Sequence, residues 1–334
     1  MPATTLSRIG ADARSRLDRR FRAMGSDVHI VVVGGTVGSL DQAMDRIEQL
    51  ESRWSRFRAD SEVTMLNSNA GRPVAVSSDT QLLVDRAVEA WRMTGGSFDP
   101  TLLDELCRAG YDRSFEMLGD DPRQHAVAPR SRAIDAPGCT DIVVDAATVT
   151  IPAGLGFDPG GIGKGLAADI VAAELIADGV GGVCINIGGD LRVLGDSPSG
   201  NGWTLAIEHP QSSAPIALVG LSEGAVATSS VLKRTWKLGE QRYHHLIDPA
   251  TGKPSESDLA VASIITGEGW KAEVLAKAAL LRGRSRAFDP LDAASAGVVV
   301  DHSGLIDASE GFATFLGGVT LPVILELDIN GEQQ

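Results

Sequence analysis

The chain of 334 residues has few cysteines, no excess of basic charge and no long apolar run. Its three cysteines are scattered without a C-x-x-C pair, which argues against a disulfide framework or a zinc site and fits a reducing compartment. The net charge of −14 argues against a nucleic-acid partner, because neutralising phosphates needs a basic face. No run reaches the roughly 18 apolar residues that a membrane span needs. These absences predict a soluble, cytoplasmic protein without a membrane span.

The N-terminal segment is rich in arginine but lacks the apolar stretch and the cleavage site of a signal peptide. We therefore predict a flexible basic arm over residues 1–20. With 43% hydrophobic residues, the chain can build one large core or two smaller ones. We predict a single domain over residues 21–334, with two lobes around a glycine-rich turn at 158–165.

Hydrophobic periodicity predicts short strands mixed with amphipathic helices. Helices are expected after Ser39, over 79–94, over 102–107, after Lys164 and over 270–282. Strands are expected over 21–33 with a turn at Gly25-Ser26, and over 142–144, 148–151, 183–187, 203–208, 216–220, 232–237, 242–247, 259–266, 297–301 and 321–327. The polar residues 112–140 should form an exposed excursion. Because helices and strands neither alternate strictly nor separate fully, we predict an α+β fold with mixed or antiparallel sheets and flanking helices.

The most informative stretch is DPGGIGKG at residues 158–165, at the start of a predicted helix. Its four glycines let the backbone approach a phosphate, the helix start presents free N–H groups, and Lys164 adds a cation. Neither the G-x-G-x-x-G nor the Walker spacing is present, so no standard nucleotide fingerprint applies. The stretch indicates a phosphate-bearing ligand. The structural alternative is a set of glycines that only permits a tight turn into a helix.

Three further segments each allow a structural and a functional interpretation. SFDPT at 97–101 is either a turn with an Asx hydrogen bond or a loop edge that touches a ligand. Met24, just before a glycine turn, is either core packing or a contact to a planar ring. The aromatic and charged cluster at 54–62 either covers the edge of a core or forms a stacking platform.

YHHLIDPATG at 243–252 places two adjacent histidines at a strand end. Neighbouring residues on a strand face opposite sides, so His244 and His245 cannot easily serve one site. One of them should face the ligand and the other a structural partner or solvent. A buried histidine can also be purely structural. No G-x-S-x-G motif or Ser–His–Asp arrangement accompanies the hydroxyls at 228–230.

Nine segments, taken in order, resemble the ApbE family of FAD:protein FMN transferases. They read AMG, SRFRADSEVTMLN, GGSFDPT, FDPGGIGKG followed by AAD, NIGGD, AIEHP, ATSS, HLIDPATGKP and AEVLAKAALLRG. The resemblance implies an α+β protein that holds FAD in a cleft between two lobes. It also implies an activity: cleavage of the FAD pyrophosphate and transfer of FMN to a threonine or serine hydroxyl of an acceptor flavoprotein, with release of AMP and assistance from Mg²⁺.

The resemblance also implies roles for single residues. The FAD-binding set would be Met24, Phe57, Ser97, Phe98, Asp99, Asp158, Lys164 and Ile247. Phe57 stands where the family often has tyrosine; it can still stack but lacks the hydroxyl. Gly161 would offer its carbonyl to the metal. His245 is a candidate catalytic residue, since a histidine or an acidic side chain could take the proton of the acceptor hydroxyl.

One departure from the family pattern lies on the late helix. Where the family has an Asp and a Thr four residues apart as metal ligands, this chain has Glu273 and Lys277. A glutamate suits Mg²⁺, but a charged lysine has no lone pair to offer. Either Lys277 places its ammonium near the diphosphate as a catalytic group, or it pairs with Glu273 and the centre is degraded. The second case would leave a non-catalytic FAD-binding protein; an FAD pyrophosphatase would share the same site.

Overall fold

The structure is a computed structural model that describes residues 15–118, 138–238 and 241–316. Within these ranges the helices are α1 (Val37–Trp54), α2 (Glu62–Ser68), α3 (Ser78–Met93), α4 (Leu103–Arg108), α5 (Gly163–Ala177) and α6 (Gly269–Arg282). The first strands are β1 (Arg16–Ala23), β2 (Ser26–Val33), β3 (Val74–Ala75), β4 (Val143–Asp145), β5 (Thr148–Thr150), β6 (Gly182–Ile187), β7 (Asp190–Gly195), β8 (Trp203–Ile207) and β9 (Ala217–Leu221). The remaining strands are β10 (Gly224–Ser230), β11 (Thr235–Leu238), β12 (Gln241–His244), β13 (Ile247–Asp248), β14 (Lys253–Pro254), β15 (Leu259–Thr266), β16 (Ala296–Asp301) and β17 (Ile306–Ala308).

An antiparallel sheet of eight strands, in the order β1-β2-β6-β7-β10-β15-β16-β17, forms the centre. Alternate residues of β2 point into different cores, as expected of a strand whose two faces are both covered. Ile30 and Val32 pack with residues of α1 and α5, whereas Val31 and Val33 pack with the hairpin β8–β9. The predicted α+β fold with antiparallel sheets and flanking helices is therefore confirmed.

The central strand β10 has an unusual composition, GAVATSS, which did not suggest a strand. Its small residues allow α6 to lie directly on the sheet, where Ala225 and Ala227 contact Ala272. Helices α5 and α6 approach each other just as closely, because a Cβ on Gly165 would lie 2.3 Å from the carbonyl oxygen of Gly269. These close contacts bring the first turns of both helices to one end of the sheet.

Several predicted boundaries differ from the structure. Residues 16–20, assigned to the basic arm, belong to β1, where Arg16 pairs with Val33 of β2; the rest of the arm, residues 1–14, lies outside the described residues. The strand predicted over 242–247 is divided between β12 and β13, and β7 and β10 were not predicted. The strand predicted over 321–327 and most of the 112–140 excursion also lie outside the described ranges. No helix in the described part of the chain is long and apolar enough to cross a membrane.

Candidate active site

Two adjoining cavities open at the end of the sheet where the first turns of α5 and α6 meet. One, of about 760 Å³, lies between the β1–β2 turn, the β6–β7 turn, β10 and α6, and we call it the polar cavity. The other, of about 400 Å³, has a wall that contains Trp54, Phe57, Tyr111 and Phe115, and we call it the aromatic cavity. The residues common to both linings are Gly25, Gly160, Lys164, Arg234, His245 and Lys277. Together the cavities offer a cationic region beside an aromatic one.

The glycine-rich turn forms the floor between the cavities. No side chain of the described residues caps the start of α5 by a hydrogen bond. Gly161 lies close to two side chains, since a Cβ there would lie 3.1 Å from Nζ of Lys277 and 3.1 Å from the ring of Phe98. The turn thus brings its backbone beside the Lys277 side chain.

Lys164 is held by two carboxylates. Its Nζ lies 2.6 Å from Asp190 Oδ2 and forms a second ion pair with Glu273 Oε1. Burial lowers the pKa of the Lys164 ammonium, but the two carboxylates more than offset this effect, so its pKa is raised and the charge is retained. The other oxygen of Glu273, a residue only 5% exposed, accepts a hydrogen bond of 2.8 Å from the Gly165 N–H. Glu273 is thus fully engaged within the fold.

Lys277 has different surroundings. Its Nζ lies 5.4 Å from the centroid of the Phe98 ring and makes no hydrogen bond or ion pair within the described chain. Burial lowers the pKa of Lys277, against the nearby carboxylates of Asp158, Glu273 and Asp99. The alternative in which Lys277 pairs with Glu273 is therefore wrong, because Glu273 is bound by Lys164 and by the Gly165 N–H instead.

The two adjacent histidines have different surroundings, because His244 ends β12 whereas His245 lies in the bend between β12 and β13. His244 Nε2 lies 3.0 Å from the Ser255 carbonyl oxygen, and its Nδ1 accepts from the Leu246 N–H, so it is a structural residue. His245 lines both cavities, and its buried Nδ1 has no hydrogen-bond partner in the described ranges. Burial, followed by the charges of Arg234 and Lys277, holds the pKa of His245 well below its usual value. The imidazole is therefore neutral at pH 7 and able to accept a proton.

Asp158 is bound to an arginine that the sequence did not single out. Arg56 Nε lies 3.1 Å from Asp158 Oδ1, and its guanidinium carbon lies 4.1 Å from the Phe57 ring centroid and 4.6 Å from that of Tyr111. Tyr111 in turn packs against Trp236, with ring centroids 5.5 Å apart. Arg56 belongs to the cluster at 54–62 and to the segment SRFRADSEVTMLN, which were the two signals for it in the sequence.

Four of the predicted ligand residues lie behind the residues that line the two cavities and do not line them themselves. Ser97 accepts a hydrogen bond of 2.9 Å from Arg282, and Asp99 accepts one of 2.8 Å from the Thr101 N–H, which is the predicted Asx turn. Phe98 is buried under Gly161, and Ile247 lies in an apolar cluster with Trp236. These four are absent from the linings of both cavities, whereas Met24, Phe57, Asp158, Lys164, His245 and Lys277 line the aromatic cavity.

Comparison with known proteins identifies the family. The ApbE family model matches residues 24–299. The chain belongs to the ApbE family. It is 28% identical over 299 residues to the FAD:protein FMN transferase of Treponema pallidum, with 81% of this chain and 82% of the relative covered. It is 26% identical over 294 residues to that of Vibrio cholerae, with 86% and 85% covered. The crystal structure of the ApbE protein from Thermotoga maritima has the same fold, with a TM-score of 0.79, 24% identity, and 91% of this chain and all of that chain covered.

The metal ligands that the ApbE resemblance implies do not fit the residues of this chain. Both oxygens of Glu273 are occupied by Lys164 and the Gly165 N–H, and the ammonium of Lys277 lies against Gly161. Among the described residues, no group of three or more His, Cys, Asp and Glu side chains could hold a metal ion. A cation between residues 161, 273 and 277 would lie beside the ammonium groups of Lys164 and Lys277 and would be repelled by their like charges.

Proposed function

We propose that this chain transfers FMN from FAD to a threonine or serine hydroxyl of an acceptor flavoprotein, forming a phosphoester bond and releasing AMP. The observation that carries the proposal is the meeting of the aromatic cavity and the polar cavity at Lys164, His245 and Lys277, on a fold whose relatives are named FAD:protein FMN transferases. FAD combines planar rings with a diphosphate, so its two kinds of group match the two kinds of lining.

The binding of FAD would use the two cavities differently. One ring system would enter the aromatic cavity, where Phe57 and Tyr111 offer apolar faces and Arg56 fixes their arrangement. The diphosphate would lie near Lys277 and Arg234, which line both cavities, and near the N-terminus of α5. Lys164, already paired with two carboxylates, would act mainly by fixing Glu273 and Asp190 in position.

The reaction itself would be a phosphoryl-type transfer. The acceptor hydroxyl oxygen forms a bond to the phosphorus of the FMN half, the bond from that phosphorus to the bridging oxygen breaks, and AMP leaves with the bridging oxygen. The hydroxyl proton passes to a base, for which neutral His245 is placed in both cavities. Fixed positive charge beside the departing AMP offsets the charge that it acquires. The chain must supply position and charge, and it forms no covalent bond of its own.

The test is to incubate the purified chain with FAD and an acceptor domain on which the Vibrio cholerae relative is active, with that relative as the positive control. A mass gain of one FMN on the acceptor, together with one equivalent of AMP, is the expected result. Free FMN and AMP with an unmodified acceptor would identify a pyrophosphatase. Bound FAD with no AMP release would identify a binding protein. Either of the last two outcomes would contradict the proposed transfer.

A further inference from the structure

The two positions at which this chain departs from the ApbE metal pattern interact with different partners. The Glu273 carboxylate forms a closed cluster with Lys164, Asp190 and the Gly165 N–H. Lys277, four residues later on α6, is partly buried and lines both cavities without a hydrogen bond or ion pair among the described residues. We propose that Lys277 is a built-in cation for the FAD diphosphate, so that this chain binds FAD without a divalent metal ion. This inference rests on the proposed function.

Leaving Lys277 without a charged partner carries an energetic cost. A partly buried ammonium loses part of its hydration, and an anionic group within hydrogen-bond distance compensates that loss better than a neutral one. The Phe98 ring, 5.4 Å away, offers only a weak attraction in comparison. The closest carboxylates already have partners, since Glu273 is bound to Lys164 and Asp158 to Arg56. An anionic ligand in the cleft would therefore be a strong additional partner for Lys277.

The charges at the junction of the cavities also favour an anionic ligand. Lys164 is matched by two carboxylates, Asp190 and Glu273, so this cluster carries one excess negative charge. With a neutral residue at 277, the excess negative charge of this cluster would repel a diphosphate. A bound metal ion would then be needed to make the junction positive. Lys277 cancels the excess, and Arg234 then gives the junction a net positive charge.

Lys277 is held in position by the elements around it. α6 lies on β10 and against α5, and the Lys277 side chain packs onto Gly161 and Phe98. Its rotamers are therefore restricted before any ligand arrives, so little side-chain entropy is lost on binding. A preorganised ammonium of this kind stabilises a phosphate without the hydration cost of assembling a metal site.

The experiment measures FAD affinity of the full chain by calorimetry, in EDTA and again in excess Mg²⁺. We expect the two dissociation constants to agree within about twofold. A loss of affinity of about tenfold or more in EDTA would overturn the inference and leave the proposed function intact. Absence of FAD binding under both conditions would reject the proposed function itself, and with it the premise of this inference.

Variants of α6 provide the second part of the test. Lys277→Met should weaken FAD binding about tenfold to hundredfold in EDTA and in Mg²⁺ alike, since a charge-assisted hydrogen bond is lost. Lys271→Met is the matched control: Lys271 lies on the same helix, pairs with Glu268 just before it and is outside both cavity linings, so the affinity should be unchanged. Lys277→Arg should retain most of the affinity. Wild-type affinity in a folded Lys277→Met variant would overturn the inference.

Restoring the Asp and Thr of the family pattern at 273 and 277 allows a test by metal binding, which does not depend on activity. The double variant Glu273→Asp with Lys277→Thr should gain Mn²⁺ binding in the presence of FAD, measured by electron paramagnetic resonance, and its FAD affinity should become sensitive to EDTA. The wild-type chain should show no FAD-dependent Mn²⁺ binding. Mn²⁺ bound by wild type with FAD present would contradict the proposal directly.

Discussion

Replacing Gly165 by alanine should force apart the two helices that build the cleft. A Cβ on Gly165 would lie 2.3 Å from the Gly269 carbonyl oxygen and 2.7 Å from the backbone nitrogen of Trp270. Both are backbone atoms, so no side-chain rotation relieves the overlap. A carbon–oxygen contact needs about 3.3 Å, so α5 and α6 would have to separate by about 1 Å.

The expected cost combines three effects. Overpacking of a tight core contact costs about 1–3 kcal/mol, whereas the better helix propensity of alanine returns at most about 1 kcal/mol. Separation of the helices also stretches the 2.8 Å hydrogen bond from the Gly165 N–H to Glu273. Losing that bond adds about 1 kcal/mol or more, because Glu273 is buried. We therefore expect the free energy of unfolding to fall by about 2 kcal/mol.

The matched control lies two residues earlier in the same turn. A Cβ on Gly163 would lie 3.7 Å from Pro159 and 3.9 Å from Trp54, which is ordinary van der Waals contact. Gly163→Ala should therefore leave stability unchanged or raise it by up to about 1 kcal/mol. Urea denaturation of the two variants measures the difference. Equal midpoints for Gly165→Ala and Gly163→Ala would refute the claim that the α5–α6 contact requires glycine.

Three further predictions concern the buried charges. His245→Asn should lower kcat by a factor of about 10² to 10⁴ if His245 takes the hydroxyl proton, and a wild-type kcat would exclude it from that step. In the folded chain the pKa of His245 is depressed. As the pH is lowered below about 6.5, this histidine is therefore protonated in the unfolded chain but not in the folded one, and the free energy of unfolding decreases. The excess stability of wild type over His245→Asn should thus shrink from pH 7 to 5.5, by up to about 1.4 kcal/mol per pH unit, and a constant difference in urea midpoints would contradict this. Asp79→Ala should lower stability by about 2 kcal/mol, because Arg53 loses its carboxylate partner and Arg46 keeps only Glu174, whereas Asp41→Ala, in an exposed pair with Arg19, should cost less than about 0.5 kcal/mol; equal losses on thermal unfolding would refute the distinction.

The sequence predicted those elements whose residues carry their own structural preference. The β-branched run of β15, LAVASIIT, and the regular spacing in α1 fall into this class. The strand β10 does not belong to this class, because its residues are small enough to pack under α6 but have little strand propensity of their own. Tertiary packing thus overrides local preference at the position where the helix must approach the sheet.

The candidate site was predictable where a motif places a residue and unpredictable where only the fold does. Lys164 and His245 stand in recognisable segments, and both line the cavities. Tyr111 and Arg234 lie in stretches without a motif and enter the site through the packing of distant elements. The partners of Glu273 could not be inferred either, since helix spacing favoured Lys277 and the fold supplied Lys164.

Arg234 is a second cation at the junction of the cavities, beside Lys277. Two cations are needed to match the charge of Mg²⁺, because the ammonium of Lys277 carries only half of it. The Arg234 guanidinium donates to the Gly25 carbonyl at 3.2 Å and to Ser26 Oγ at 3.1 Å, so it is fixed beside the β1–β2 turn. Burial, followed by the charges of Arg234 and Lys277, depresses the pKa of His245, and all three residues line both cavities. If the two cations jointly replace a divalent ion, Arg234→Met should weaken FAD binding about as much as Lys277→Met, roughly tenfold or more, and the losses should combine in the double variant. If Lys277 alone neutralises the diphosphate, calorimetry would show an unchanged FAD affinity for Arg234→Met.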